Sequence, residues 1–137
     1  MQIVADANPI ISIFIKPNIR TTELLFLEDL EIFAPELLFD EIERNRGIII
    51  MKSGLTDEEF DEFFAILRKR ISIVPKGDFL KFRDEAKKIC PDEKDIAYFA
   101  LALYLKCPVW SNEKKLKEQS HVNVYSTHEL IGMFEVK

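Results

Sequence analysis

Short apolar runs alternate with amphipathic segments along most of the chain. Five of these runs predict buried strands, at residues 2–5, 32–34, 71–74, 109–111 and 121–125. The segments between them place apolar residues at helical spacing. Strands that alternate with helices favour a parallel sheet that is covered by helices on both faces. The pattern therefore predicts the α/β class.

The segments between the strands carry specific helix signals. The clearest is a capping box from Thr56 to Glu59, which opens a predicted helix at 57–70 with a stripe of phenylalanines. Pro35 suits the first position of a helix at 35–47. The run 48–51 fits either a continuation of that helix or a strand. The other predicted helices are residues 10–15, residues 21–30 capped by Thr21 or Thr22, residues 79–90 capped by Asp78, a helix that opens on the acids of 92–95, residues 113–118 and residues 127–134.

Length and charge narrow the class of protein. With 137 residues, 47% of them hydrophobic, the chain suits one core, and we expect a single domain over residues 1–137. The net charge of −5 gives no overall basic field, so a nucleic acid would have to bind a local patch or a bound cation.

No apolar run reaches the roughly 18 residues of a membrane span and no signal peptide is present, so we expect a soluble, cytoplasmic protein. Cys90 and Cys107 are not spaced as a zinc pair, which favours reduced packing residues but leaves a bridge between them open.

Acidic residues stand where two predicted strands end. Asp6 directly follows the first strand and Glu113 follows the fourth, while Asp95 lies in the first turn of the helix before that fourth strand. Ligands of parallel sheets bind beyond the carboxyl ends of the strands, so neighbouring strands would bring these carboxylates together. Charges of one sign are tolerated at close range when a cation lies between them. Oxygen ligands without His or Cys indicate Mg²⁺ or Mn²⁺, and such an ion suits hydrolysis of a phosphodiester by activated water.

Glu41 is a fourth candidate, because it lies beside Leu38 and Ile42 on the apolar side of its helix. A carboxylate on that side needs a partner. The competing interpretations are a solvated surface acid for Glu41 and a turn-forming residue for Asp6.

Other polar and aromatic residues have structural interpretations that compete with functional ones. Asp92 is either a further site residue or a helix cap. His121, His128 and Trp110 are expected to be structural. Basic residues could line a phosphate path or be ordinary solvated charges; these are Arg44, Arg46, Lys52, Lys114, Lys115 and Lys117.

Four segments together resemble the PIN domain family, the fold of the VapC-like toxin ribonucleases of toxin–antitoxin pairs. They are VADANPIIS, APELLFDEIER, DEKDIAYFALAL and CPVWSNEKKL, in the order and over nearly the whole length expected for the family. The resemblance implies a three-layer α/β/α sandwich with a five-stranded, mainly parallel sheet in the order 3-2-1-4-5. It also implies that the four acids of the family fall on Asp6, Glu41, Asp95 and Glu113. The family usually has Asp at the last place, where this chain has Glu113.

The resemblance further assigns roles to these residues. Asp6, Asp95 and Glu113 would hold Mg²⁺ or Mn²⁺, and Glu41 would orient or deprotonate the attacking water or help to hold a second ion. Ser111 would position the neighbouring carboxylate by hydrogen bonding, and Asn8 would do the same near Asp6.

The implied activity is metal-dependent hydrolysis of RNA that leaves a 5′-phosphate. A homodimer and an antitoxin partner are family expectations. One alternative is a PIN-like module that binds RNA or a partner protein without cutting, because Glu113 has impaired the site. A flap-type DNA nuclease is a third possibility, which the short chain disfavours because it leaves no room for a helical arch.

Overall fold

The sheet has the predicted strand order. The computed structural model describes all residues from 1 to 137, and its five strands are β1 (Gln2–Ala5), β2 (Glu31–Ala34), β3 (Ser72–Ile73), β4 (Val109–Trp110) and β5 (Val124–Tyr125). They lie in the order β3-β2-β1-β4-β5, and every neighbouring pair is parallel. The expected α/β sandwich with this sheet order is confirmed.

Nine α-helices connect and cover the strands. They are α1 (Ala7–Ile15), α2 (Ile19–Leu25), α3 (Leu37–Arg44), α4 (Arg46–Ser53), α5 (Asp57–Arg70), α6 (Lys76–Phe79), α7 (Arg83–Ile89), α8 (Ile96–Leu105) and α9 (Thr127–Met133). Short 3₁₀ turns occupy residues 80–82, 93–95 and 114–118. None of the helices is long and apolar enough to cross a membrane.

The capping box at Thr56 is confirmed, since the Thr56 and Glu59 side chains each accept a hydrogen bond from the other's backbone N–H. The predicted helix at 35–47, with 48–51 as its continuation or a strand, instead forms two helices, α3 and α4, separated at Asn45. The Asn45 amide donates to the Glu41 carbonyl over 2.7 Å. A side chain that bonds the preceding turn in this way competes with the regular backbone ladder, and the helix ends there.

Other boundaries also differ from the prediction. The cap of α2 is Asn18, with Thr21 as the third residue of its capping box. Asp78 caps no helix, because the predicted helix at 79–90 divides into α6, a 3₁₀ turn and α7. The fifth strand is only two residues long, because the Gln119 side chain binds the backbone of His121 and Val122 and holds them in a loop.

The central strands and α8 form the middle of one hydrophobic core of 34 buried residues. β1 and β4 are fully buried apart from Gln2, and α8 packs against both of them. Cys90 and Cys107 are free, half-buried thiols packed against this core, as expected. The chain leaves β1 toward β2 on one side and β4 toward β5 on the other, so a crevice opens between β1 and β4 at their carboxyl ends.

Candidate metal centre

The crevice between β1 and β4 brings Asp6 and Glu113 to the same edge of the sheet. Ala5 is paired with Trp110, and the backbone N–H of Asp6 donates to the Trp110 carbonyl over 2.9 Å. The chain continues from Trp110 through Ser111 to Glu113 beside Asp6. Two strands that are distant in sequence therefore end side by side on acidic residues.

Asp95 completes a group of three carboxylates. It stands at the start of α8, and one carboxylate oxygen from each of Asp6, Asp95 and Glu113 lies within 4.8 Å of the others. Asp6 is 3% exposed and Asp95 2% exposed, while Glu113 is half-buried at the rim. Three of the four acids singled out in the sequence thus meet in one place.

Hydrogen bonds hold Asp6 in a fixed orientation. One of its oxygens accepts from the backbone N–H of Ala7 over 2.7 Å, which makes Asp6 the N-cap of α1. The other accepts from the Ser111 hydroxyl over 2.8 Å. The Ser111 oxygen in turn accepts from the backbone N–H of Glu113 over 3.2 Å. Ser111 therefore joins the Asp6 carboxylate to the backbone of Glu113.

The carboxylates of this group are hard to ionise together. Burial, followed by the charges of Asp6 and Glu113, raises the pKa of Asp95 to about 8. Burial is also the main cause that raises the pKa of Asp6, although the hydrogen bonds from Ser111 and Ala7 oppose it. The sequence predicts repulsion between these like charges. The structure adds that loss of hydration is the larger cause.

This arrangement fits a divalent cation. The second oxygen of Asp95 is buried and has no hydrogen-bond partner, which is uncommon for a buried polar atom. All the available donors are carboxylate oxygens, the ligands that Mg²⁺, Mn²⁺ and Ca²⁺ prefer. Asp6, Asp95 and Glu113 could therefore hold such an ion, and the orphaned oxygen of Asp95 would then gain a partner.

Glu41 lies next to the three carboxylates but outside their group. It is half-buried on α3, and burial followed by the Asp6 charge raises its pKa. The helical position beside Leu38 and Ile42, both fully buried, turns its side chain toward the crevice. Glu41 is thus near enough to Asp6 for that charge to influence its pKa, without belonging to the group of three.

Two predicted supporting residues have other contacts. The Asn8 side-chain oxygen accepts from the backbone N–H of Asn112 over 3.1 Å, so it fastens the loop that carries Glu113 and not the Asp6 carboxylate. Asp92 caps the 3₁₀ turn before α8, since its carboxylate accepts from the backbone N–H of Lys94 over 3.2 Å. The capping interpretation of Asp92 is therefore the one that its contacts favour.

Lys94 is a residue of the site that the sequence analysis missed. Its ammonium group lies 2.9 Å from a Glu113 oxygen and 3.8 Å from an Asp92 oxygen. A lysine directly before Asp95 in a run of acids could have indicated an ion pair at the site. Its partner could not be predicted, because the acid that it contacts depends on the fold. Lys94 supplies a positive charge at the rim of an otherwise acidic crevice.

The proposed phosphate path has fewer members than expected. Arg46 is bound to Asp57 and Asp61 and lies over the Phe60 ring, and Lys117 is paired with Glu129. Arg44 is near enough to Glu41 to influence its pKa. Lys52, Lys114 and Lys115 are exposed, as are both histidines.

Trp110 is fully buried, as expected for a core residue, and donates to the Thr127 hydroxyl over 3.0 Å.

Because the pKa of Asp95 is raised, the stability of the metal-free protein should depend on pH. The folded state keeps a proton on Asp95 up to about pH 8, whereas the unfolded chain loses it near pH 4. The folded state therefore binds more protons between these values, and the free energy of unfolding should fall as the pH rises from about 4 to about 8. Urea unfolding in the presence of a chelator measures this slope, and it should flatten in Asp95→Asn. A slope of the opposite sign over this window would contradict the burial of an uncompensated carboxylate.

Comparison with known proteins agrees with this geometry. A family model described as PIN domain matches residues 4–129. The chain belongs to the PIN domain family. The resemblance drawn from its four sequence segments is thereby confirmed, and the model spans all four acids of this PIN domain. Comparison with curated protein sequences finds no match.

A solved structure has the same fold as this PIN domain. It is a chain of the crystal structure of VapBC2 from Rickettsia felis bound to a DNA fragment from their promoter. The TM-score is 0.66 and the sequence identity 15%, over 92% of this chain and 98% of that one. At this identity the likeness concerns the fold.

Proposed function

We propose that residues 1–137 form one PIN-like domain that acts as a Mg²⁺- or Mn²⁺-dependent endoribonuclease of the VapC type. The observation that carries the proposal is the meeting of Asp6, Asp95 and Glu113 within 4.8 Å at the carboxyl ends of two adjacent strands. PIN domains are generally nucleases. The acidic crevice explains how a chain with a net charge of −5 could act on a polyanion, because a bound cation would meet the phosphate.

In this proposal the three carboxylates hold the ion. When bound, the ion supplies positive charge at the phosphodiester and makes water a better nucleophile. Hydrogen bonds from the Ser111 hydroxyl and the Ala7 backbone hold the Asp6 carboxylate in one orientation, and Asp95 has one oxygen without a hydrogen-bond partner. The longer side chain of Glu113 reaches from the end of β4 into the same cluster as the two aspartates.

Glu41 has the separate role of orienting the attacking water or accepting its proton. Burial and the Asp6 charge raise the pKa of Glu41, and a raised pKa makes a carboxylate a better proton acceptor. Glu41 lies beside the cluster without belonging to it, so it could act on a water at an ion that the three carboxylates hold. The expected products are an RNA fragment with a 5′-phosphate and one with a free 3′-hydroxyl.

Removal of the metal should abolish the activity. We expect single-stranded RNA to be cut in the presence of Mn²⁺ or Mg²⁺ and not in the presence of EDTA, because the carboxylates alone repel the phosphate. Cleavage of end-labelled RNA on a denaturing gel measures this, with Asp6→Ala as the inactive control. Structured DNA is the comparison substrate. Cleavage of DNA flaps in preference to RNA would contradict the proposed substrate class.

The ion pair between Lys94 and Glu113 favours a second candidate function. An ammonium group already 2.9 Å from Glu113 partly satisfies that carboxylate, which would weaken its hold on a metal. The protein would then be a PIN module that binds RNA or a partner protein without cutting. Wild type and Asp6→Ala would in that case be equally inert toward RNA while both still bound it.

The partners follow from the same family assignment. VapBC2 of Rickettsia felis, in the structure with the similar fold, is bound to promoter DNA, and we propose an antitoxin protein as a partner of this chain. We also propose a cytoplasmic homodimer. Large apolar side chains on several helices remain exposed and are available for such contacts, among them Ile19, Ile48 and Met51. Light scattering of the purified chain, alone and with a co-expressed neighbouring gene product, tests both.

A further inference from the structure

Tyr98 is a buried residue of the crevice to which the proposed mechanism gives no role. It lies on α8 three residues after Asp95, so the two side chains share one face of the helix. Its side chain is 0% exposed, yet its hydroxyl has no hydrogen-bond partner. Only two buried side-chain polar atoms of the protein lack a partner, this hydroxyl and the free oxygen of Asp95. Both lie at the candidate metal centre.

The hydroxyl lies near three carboxylates. Burial is the main cause that raises the pKa of Tyr98, and Glu41 has the largest effect among the charged groups, ahead of Asp6 and Asp95. The hydroxyl therefore keeps its proton and can only act as a donor toward these anions. If the ring served packing alone, phenylalanine would be expected at this position, since burying an unpaired hydroxyl destabilises a fold.

The two groups differ in their freedom to move. The Tyr98 ring is held by complete burial, whereas Glu41 is half-buried and has a longer side chain with more rotatable bonds. Glu41 is near enough for its charge to raise the pKa of Tyr98, which makes it the nearest candidate acceptor for the hydroxyl. Tyr98 is thus a tightly packed donor beside a less constrained acceptor.

We propose that Tyr98 is a positioning residue, whose hydroxyl donates a hydrogen bond to the Glu41 carboxylate in the working site and fixes the orientation of that carboxylate. The proposal deepens the ribonuclease function and rests on it. A hydrogen bond to an ionised carboxylate is among the stronger ones in proteins, and one such bond occupies only one of the two carboxylate oxygens. The other oxygen of Glu41 then faces the crevice, where the attacking water would be.

The first test is the variant Tyr98→Phe, which keeps the ring and removes only the hydroxyl. We expect kcat for RNA cleavage to fall about tenfold, since one hydrogen bond that orients the catalytic group is lost. KM and the affinity for Mn²⁺ should stay unchanged, because neither the substrate nor the three metal-binding carboxylates lose a contact. Tyr104→Phe is the matched control on the same helix, since Tyr104 lies toward the surface and contacts Phe82.

The kinetic result has two outcomes that would overturn the proposal. An unchanged kcat would show that the hydroxyl does not orient Glu41. A raised KM with unchanged kcat would place the hydroxyl against the substrate instead. In a Glu41→Ala background, the additional effect of Tyr98→Phe on kcat should vanish, and a persistent tenfold effect would also contradict the pairing.

A second test does not depend on activity. Thermal unfolding of the Mn²⁺-loaded protein is compared for wild type, Tyr98→Phe, Glu41→Ala and the double variant. Tyr98→Phe should lower Tm by about 3 °C when Glu41 is present and should have no such effect when it is absent. Additive effects would overturn the proposal even if RNA is cut. If wild type fails to cut RNA, the ribonuclease proposal fails by itself, and this thermal cycle still decides whether Tyr98 and Glu41 interact.

Discussion

Asp95→Asn is expected to lower the rate of RNA cleavage on the order of 10³-fold, the loss that follows when several kcal/mol of metal-derived stabilisation is removed. The amide has the shape of the carboxylate but carries no charge and offers one oxygen fewer. Asp95 is the member of the cluster whose free oxygen has no protein partner. The affinity for Mn²⁺ should therefore fall together with the rate.

The same substitution should stabilise the metal-free protein. Burial and the neighbouring acids raise the pKa of Asp95 to about 8, so at neutral pH the carboxyl either keeps a proton or bears an unfavourable charge. An asparagine amide avoids that charge and can donate to Asp6 or Glu113. We expect the free energy of unfolding in EDTA to rise by about 1–3 kcal/mol, with allowance for solvent screening.

A loss of Mn²⁺ affinity together with a gain in stability without metal distinguishes a metal site from a structural cluster of acids. Urea unfolding in EDTA measures the free energy of unfolding, and isothermal titration measures the affinity for Mn²⁺. Glu93→Gln is the matched control, because Glu93 is an exposed acid two residues away and should change neither. An Asp95→Asn protein that binds Mn²⁺ as tightly as wild type would count against the site.

Glu41→Gln is expected to lower kcat by about 10² to 10⁴-fold while the protein still binds Mn²⁺. Glutamine preserves the size of the side chain on α3 but cannot accept a proton from water. Glu41 lies outside the group of three carboxylates, so the affinity for Mn²⁺ should fall by less than about tenfold, through loss of a nearby negative charge alone.

The comparison of rate with affinity separates two roles for Glu41. Asp40→Asn is the matched control, since Asp40 is the preceding residue on the same helix and its side chain is exposed. If Glu41→Gln loses Mn²⁺ binding as completely as Asp95→Asn does, Glu41 is a ligand of the ion and not the residue that orients or deprotonates the attacking water.

Local signals in the sequence predicted the elements that depend on neighbouring residues. The capping box at Thr56 and the apolar runs of β1 and β2 were recognised because a cap or a strand depends on residues a few positions apart. The predictions failed where a side chain competed with the backbone. Asn45 ends a helix by binding the Glu41 carbonyl, and Gln119 shortens the fifth strand by binding its backbone.

The sequence by itself placed Asp6 and Glu113 at the ends of strands and Asp95 at the start of a helix, and the resemblance supplied the strand order. The tertiary structure decided which atoms meet there. The hydrogen bond from Ser111 to Asp6 joins residues 105 positions apart and exists only because β1 and β4 pair in parallel with Ala5 opposite Trp110. The contact of Lys94 with Glu113 and the burial of the Tyr98 hydroxyl beside Glu41 likewise depend on packing between distant segments. A sequence pattern reports the preferences of nearby residues, whereas the distances within a site are set by the register and packing of elements that are far apart along the chain.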